Sequence, residues 1–582
     1  MTGIAASPGL AAGAGADRSG VASQPGAAAR LLAWVERSHL RAAAALIALC
    51  LACFLPGFTS LQPMDRDEPR FAQASKQMLE TGDLVDIRFQ EEARHKKPVG
   101  IYWLQAGAVA AGEALGVGNA RTAIWLYRLP SLVGAIAAVL LAYWAALAFL
   151  ARRDAWLAAA LVAASIVLAA EARLAKTDAV LLACTTAMLG GLARAYLGRG
   201  AAPLPARVLV PLWAAFGLGV LVKGPMVAVF AGLAALVLSW RERSTWWLTA
   251  LRPRLGLVIT AAIVLPWFVA ITFRSGGSFY AASVGQDMLG KVGTAQTYHW
   301  APPGFYALSF FAAFWPGAAL AAIAAPWAWR HRAEPRVAFA LAWIVPAWVL
   351  LEAVPTKLPH YTLPLLPAVA ILTVAAMGAG GVGPHRPFAR ATALLIPAIP
   401  VGLGVLLGVG GWRLDGAVPW AGLAVIAASA ALAVAAWRTF ARGDARGAAL
   451  SGIAASVALS AGVLGLVQPR LPALKLSPRL AEVASRLTCP DRRVASLGYR
   501  EPSLVFLVGT DLDLQETPDE AARFLGAGPC RIVFVESRFE EAFREALRRH
   551  GVEAAPASRL QGFNINGGRQ LSVGAYTTGQ QP

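Results

Sequence analysis

Residues 127–199 read YRLPSLVGAIAAVLLAYWAALAFLARRDAWLAAALVAASIVLAAEARLAKTDAVLLACTTAMLGGLARAYLGR. Three apolar runs, at 127–150, 155–172 and 179–197, are separated by two short polar turns of different character. The first turn carries Arg152 and Arg153; the second is Glu171-Ala172-Arg173-Leu174-Ala175-Lys176-Thr177-Asp178. Runs of this length with so few charges predict helices that cross a lipid bilayer. Arginine is retained on the cytoplasmic side of short loops, so the basic turn is predicted inside and the mixed-charge turn outside.

Working outward, comparable runs lie at roughly 41–57, 207–222, 225–240, 254–271, 304–328, 336–353, 361–379, 390–411, 418–438 and 447–467, which makes about thirteen spans. Seven arginine groups fall in alternate loops: Arg30/Arg37/Arg41, Arg152/Arg153, Arg194/Arg199/Arg207, Arg241/Arg243/Arg252/Arg254, Arg330/Arg332/Arg336, Arg386/Arg390 and Arg438/Arg442/Arg446. All seven land on one side, predicted cytoplasmic, with the N-terminus inside and the C-terminal region outside. Residues 99–115, VGIYWLQAGAVAAGEAL, are apolar but short and carry Glu113. Were they to cross, every later loop would invert and the arginine pattern would fail. They read as a helix lying in the outer interface with Tyr102 and Trp103 at headgroup level.

Composition agrees. The 582 residues are 57% hydrophobic and 15% charged, outside the range of soluble chains. A formal charge of +19 would suggest nucleic-acid binding in a soluble protein, but here the arginines sit in loops between spans and no basic-aromatic stripe accompanies them. Nucleic acid is not an expected partner. Residues 1–40 read as a disordered cytoplasmic tail rather than a cleaved leader, because the first apolar run ends at Pro56-Gly57 with no small-residue cleavage site.

With this topology a polar set collects on the outer face. It comprises the first outer loop, 58–126, the turn 171–178, Lys223-Gly224-Pro225, a loop at 272–303 with Arg274, Gln286, Asp287, Lys291 and His299, and Pro355-Thr356-Lys357-Leu358-Pro359-His360-Tyr361. Ionisable groups at membrane depth are costly, and several on one face point to function. Cationic side chains there suit a lipid phosphate, and a carboxylate beside them can orient an acceptor or take its proton. Structural alternatives stand beside each. Asp67-Glu68-Pro69 can simply start a helix, and Asp178 can cap one. Lys223 and Lys357 can snorkel at span ends. His299 and His360 can be structural.

These residues resemble the lipid A aminoarabinose transferase family, related to protein O-mannosyltransferases and of GT-C type. The likeness runs over about 41–470 through five ordered motifs: Asp67-Glu68-Pro69-Arg70-Phe71-Ala72, Lys97-Pro98 followed by Tyr102-Trp103, Arg173 to Asp178, Lys223-Gly224-Pro225, and Lys357-Leu358-Pro359-His360-Tyr361-Thr362-Leu363-Pro364. The resemblance implies a fold of about thirteen transmembrane helices with juxtamembrane helices in the first outer loop. It implies a glycosyltransferase that takes its sugar from an undecaprenyl-phosphate carrier and passes it to lipid A or another glycolipid or glycan, with no cofactor. Asp67 and Asp178 would be catalytic. Arg70, Lys97, Tyr102, Lys223, Lys291, Lys357 and Tyr361 would hold the donor's phosphate and sugar, and Glu68, Arg173 and His360 would support them. The family's Phe-Glu-Lys-Pro is His95-Lys96-Lys97-Pro98 here, so a glutamate that could bind metal is lysine and no metal is expected.

Residues 469–582 read as a separate periplasmic α/β domain, with strands at Arg493–Leu497 and Arg531–Glu536, helices at 518–525 and 538–550, and a closing strand pair at 562–564 and 570–576. Cys489 and Cys530 lie in it, where an oxidising compartment permits a disulfide. Cys50, Cys53 and Cys184 fall in spans. The rival reading, a transporter or flippase of lipid-linked sugars, should show an internal repeat and helices broken deep in the bilayer.

Overall fold

A computed structural model describes residues 27–64, 67–200, 202–290, 300–489, 491–564 and 567–578. Every predicted apolar run is helical. Among the described residues nine helices are long and apolar enough to span a membrane, and His39–Phe54 is apolar but shorter. Residues 155–172 form a broken pair, Arg152–Ala163 and Ile166–Glu171, and 304–328 form Phe305–Ala313 and Gly317–Arg330. The run at 225–240 is Met226–Glu242. Lipid offers no partner to a bare N–H or C=O, so an apolar run of this length must satisfy its backbone internally, as a helix. That constraint outweighs proline's local preference: Pro130, Pro211, Pro266, Pro346 and Pro400 all sit inside helices. The chain is a multi-pass helical membrane protein carrying a small C-terminal sheet.

The arginine loops gather at one pole by direct contact. Arg446 forks onto Asp154 at 3.0 and 3.1 Å. Arg336 donates to the Phe149 carbonyl, Arg241 to those of Arg332 and Ala333, and Arg152 to that of Glu36. The predicted outer segments meet at the opposite pole. Helix Gly100–Ala114 starts and ends at that pole: Lys97, just before it, meets Asp287, while Arg128, in the second turn of the following helix Ile124–Ala146, meets Glu68. It therefore does not cross. Its side chains differ from expectation, because Tyr102 is fully buried, with its ring 5.4 Å from that of Phe71, rather than sitting at headgroup level. Trp103 is partly exposed and donates its indole N–H to the Leu84 carbonyl. Where a disordered tail was expected over 1–40, Ala27–Glu36 is a helix; residues 1–26 lie outside the described residues.

At the outer pole a five-stranded sheet is ordered Asp513–Gln515, Arg493–Leu497, Arg531–Glu536, Arg569–Thr577, Ala555–Asn564. The first three strands pair in parallel and the last two add antiparallel. The closing hairpin is longer than the sequence suggested, and helix Pro502–Val508 was not foreseen. That helix docks the sheet onto the first outer loop. Phe506 packs edge-on against Tyr127 at 5.2 Å, and Lys76 donates to the Phe506 carbonyl. Gln90 donates to the carbonyls of Thr510 and Leu512. Cys489 and Cys530 form a disulfide, which ties the approach to one central strand to the approach to the next. Cys50, Cys53 and Cys184 are buried thiols.

Candidate active site

The first outer loop enters helix Asp67–Thr81, whose first turn carries Asp67 and Glu68. Asp67 is half exposed, with Arg70 3.9 Å away one turn on. Glu68 points the other way, into the protein. Its carboxylate receives the Arg128 fork at 2.7 and 3.0 Å, and both side chains are fully buried. Arg128 spends its remaining donors on the carbonyls of Phe58, Leu61 and Gln62. Glu68 also accepts from the amides of Met64 and Ala175. One buried carboxylate thus joins the start of the Asp67 helix to the turn that precedes Asp178. Glu68 is a structural joint, not a group facing substrate.

Asp178 begins helix Asp178–Leu197 and is buried. Lys223, the last residue of helix Ala206–Lys223, donates to its Oδ1. His360 lies between two carboxylates, with Nε2 3.8 Å from Asp178 and Nδ1 3.6 Å from Glu171. Lys176 pairs with Glu171 at 3.4 Å. The Tyr361 ring stands 5.3 Å from the Lys223 ammonium and edge-on to His360. Glu171, Asp178 and His360 could present ligand atoms within 4.8 Å of one another. Each of these carboxylates already holds a lysine, however, so a divalent cation would face two ammonium groups in a buried site.

The two halves lie within electrostatic reach of each other. His360 interacts electrostatically with Asp67 as well as with Asp178, Lys176 and Lys223. Tyr361 does so with Asp67, Asp178 and Asp287. Lys97 reaches across from the first outer loop to ion-pair with Asp287, in the π-type helix Ala281–Leu289 of the long outer loop. Asp67, Arg70, Lys97, Asp178, Lys223, His360 and Tyr361 are therefore brought together. Lys291 lies outside the described residues, as does His299.

Three other candidates are placed elsewhere or differently. Lys357 is buried and gives its ammonium to the carbonyls of Ala301 and Val354, so it clamps the end of helix Pro335–Ala353 instead of facing the pocket. Arg173 is buried and bonds the Pro56, Ala169 and Cys53 carbonyls and the Ser460 hydroxyl. It fastens three helix ends together. Tyr102 is fully buried, with the Arg94 guanidinium as its hydroxyl's polar neighbour and Asp67 and Asp287 in electrostatic reach. Conversely, sequence reasoning did not single out Arg128 or Arg94, and it named Lys176 and Asp287 in the outer polar set without giving them a role. An arginine inside an apolar run, as Arg128 is, was the available signal for a buried carboxylate partner.

Residues 41–277 match the family described as dolichyl-phosphate-mannose-protein mannosyltransferase. The undecaprenyl phosphate-alpha-4-amino-4-deoxy-L-arabinose arabinosyl transferase of Pseudomonas paraeruginosa is 29% identical over 316 residues, 53% of this chain and 54% of that protein. That of Pseudomonas aeruginosa PAO1 is 30% identical over the same length, 53% and 54% of the two chains. The chain spans about half the length of the curated relatives it matches. Crystal structures of ArnT from Cupriavidus metallidurans, apo and bound to undecaprenyl phosphate, superpose with a TM-score of 0.70 at 16% and 17% identity, covering 91% of this chain and 97% of theirs. The fold is that of the ArnT structures.

Proposed function

We propose that this chain, an aminoarabinose-transferase-like membrane protein of the GT-C type, transfers a sugar from an undecaprenyl-phosphate carrier to lipid A or another glycolipid or glycan. The observation that supports the reading is a charged cluster at the pole opposite the arginine loops: Lys97 on Asp287 and Lys223 on Asp178, with His360 and Tyr361 in electrostatic reach of both Asp67 and Asp178. The arginine loops mark the cytoplasmic side of a bacterial inner membrane, which sets the pocket and the C-terminal sheet in the periplasm. The N-terminus is cytoplasmic. Residues 41–468 form the transferase unit and 469–582 a periplasmic unit that braces the first outer loop.

In the reaction the acceptor oxygen bonds to the anomeric carbon as the bond from that carbon to the carrier phosphate breaks, with inversion. The phosphate departs with the electron pair. Lys97 and Lys223 stabilise the charge that grows on it, which is where fixed cations in a dry site act most strongly. Asp67 stands half exposed at the mouth, placed to orient the acceptor. A lipid A phosphate is already anionic and needs no base; a hydroxyl acceptor would give its proton to Asp67. The test is purified protein in nanodiscs with undecaprenyl-phosphate sugar and lipid A, read by mass spectrometry. Wild type should yield sugar-modified lipid A and Asp67→Asn none, with the variant's melting curve unchanged. Full transfer by Asp67→Asn would remove Asp67 from the mechanism.

A further inference from the structure

Two cations beside the cluster have no ion-pair partner among the described residues, and they are neighbours in the chain. Among the described residues, four cations have carboxylate partners: Arg70 with Asp67, Lys97 with Asp287, Lys176 with Glu171 and Lys223 with Asp178. Arg94 and Lys96 have none. Arg94 is only 8% exposed, and its guanidinium lies over the Phe71 ring at 5.1 Å with no hydrogen bond from its Nε. The Tyr102 hydroxyl is its polar neighbour, which brings no charge, and a buried guanidinium with no paired carboxylate among the described residues is costly to keep unless an anion arrives to complete it. Lys96 is solvent-exposed and stands within electrostatic reach of Arg94, Arg70, Asp67 and Asp287. Burial of its stem and the neighbouring arginines Arg94 and Arg70 lower its pKa, as expected of a cation in a surplus of positive charge.

Two unpaired cations exceed what the donor's linkage requires. A sugar joined to a carrier through a phosphodiester brings one negative charge, to the side where Lys97 and Lys223 stand, so one positive charge of the two stays over. We propose that Arg94 and Lys96 form a second anion subsite, and that it takes a carboxylate on the transferred sugar. The donor is then a polyprenyl-phosphate uronic acid rather than an amino sugar. An ammonium on the sugar would meet two like charges, whereas a planar carboxylate suits the guanidinium fork. The motif departure points the same way, since lysine stands at position 96 where the resembling family often has glutamate. The inference rests on the transferase reading. The chemical step is unchanged by it: the sugar's anomeric carbon exchanges carrier phosphate for acceptor oxygen, and the carboxylate is a spectator held by Arg94.

The experiment is equilibrium binding to the full chain in nanodiscs by native mass spectrometry. The probes are undecaprenyl phosphate and its galacturonosyl, galactosyl and 4-amino-arabinosyl esters. Galacturonosyl and galactosyl differ only at one carbon, so their ratio isolates the carboxylate. One charge-assisted contact predicts that wild type holds the galacturonosyl ester about tenfold or more tighter than the galactosyl ester. Arg94→Gln and Lys96→Glu should each collapse that ratio while leaving undecaprenyl phosphate binding unchanged. Lys96 is exposed, so its variant reports even if Arg94→Gln fails to fold. Equal binding of the two esters, or tighter binding of the amino-arabinosyl ester, would overturn the proposal. So would weakened binding of bare undecaprenyl phosphate in both variants, which would assign the two cations to the carrier phosphate. No binding of undecaprenyl phosphate to wild type would defeat the transferase reading itself, and this inference with it.

Discussion

Replacing Glu68 with glutamine tests whether one buried carboxylate holds the two aspartates in register. The change preserves shape and removes only charge and acceptor capacity. In the native protein the carboxylate accepts four hydrogen bonds, from Arg128 Nε at 2.7 Å, Arg128 Nη2 at 3.0 Å, and the amides of Met64 and Ala175. Glutamine keeps one oxygen for two of them. Its NH2 group then confronts the other two donors, and the Arg128 guanidinium, with no exposed surface at all, loses its counter-charge. Removing one partner of a buried ion pair costs about 3–5 kcal/mol. Catalysis should suffer beyond stability. Glu68 adjoins Asp67 and grips Ala175, three residues before Asp178, and a shift of about 1 Å in a positioned group can cost about 100-fold in rate. Reversible unfolding in detergent, followed by the fluorescence of the chain's 19 tryptophans, measures the first quantity, and turnover of purified protein the second. A Glu68→Gln protein within about 1 kcal/mol of wild type, or with unaltered turnover, would show that Glu68 is not the joint described.

Lys223→Met should lower turnover about 100- to 1,000-fold by removing a cation poised at the leaving phosphate, with Lys223→Arg restoring part of it; equal turnover in both would detach Lys223 from the chemistry. Lys357→Met should behave in the opposite way. Its two carbonyl contacts are worth about 1–3 kcal/mol together, so the melting temperature should fall while donor affinity holds, and a selective loss of donor binding would return Lys357 to the pocket. Cys489→Ser should destabilise the C-terminal sheet by about 2–4 kcal/mol, because it opens a link across 41 residues. Dithiothreitol should reproduce the shift in wild type and have no effect on the variant.

The architecture was legible because the bilayer removes choices. A run such as 179–197 can satisfy its backbone in lipid only as a helix, and the arginine groups then fix which loops share a pole. The direct contacts of Arg446 with Asp154 and Arg241 with the Arg332 carbonyl are what that alternation requires. The same logic put Asp67, Lys97, Asp178 and Lys223 on one face, and the family resemblance, not the topology, supplied their roles. It could not say which way a charge turns within its helix. Asp67 and Glu68 are neighbours of the same kind in the sequence, yet one faces the pocket and the other is wholly enclosed. The 100° step between consecutive helical residues settles this, but its phase depends on what packs behind the helix.

Arg128, Arg173 and Lys357 carry that argument further. A cation embedded in or beside an apolar run must be completed by something, and sequence alone leaves open whether that is a ligand, a carboxylate or backbone. Arg173 and Lys357 are completed by carbonyls at helix ends, which have no sequence signature because every residue owns one. Arg128 is completed by a carboxylate 60 positions away. Arg94 has an aromatic ring and a neutral hydroxyl beside it but, among the described residues, no paired carboxylate. The structure therefore sorts the buried cations by what satisfies them, and the unsatisfied ones mark where substrate charge is owed. On that ground the pair Arg94 and Lys96 says more about the identity of the sugar than Asp67 and Asp178, whose roles would serve a donor with any sugar.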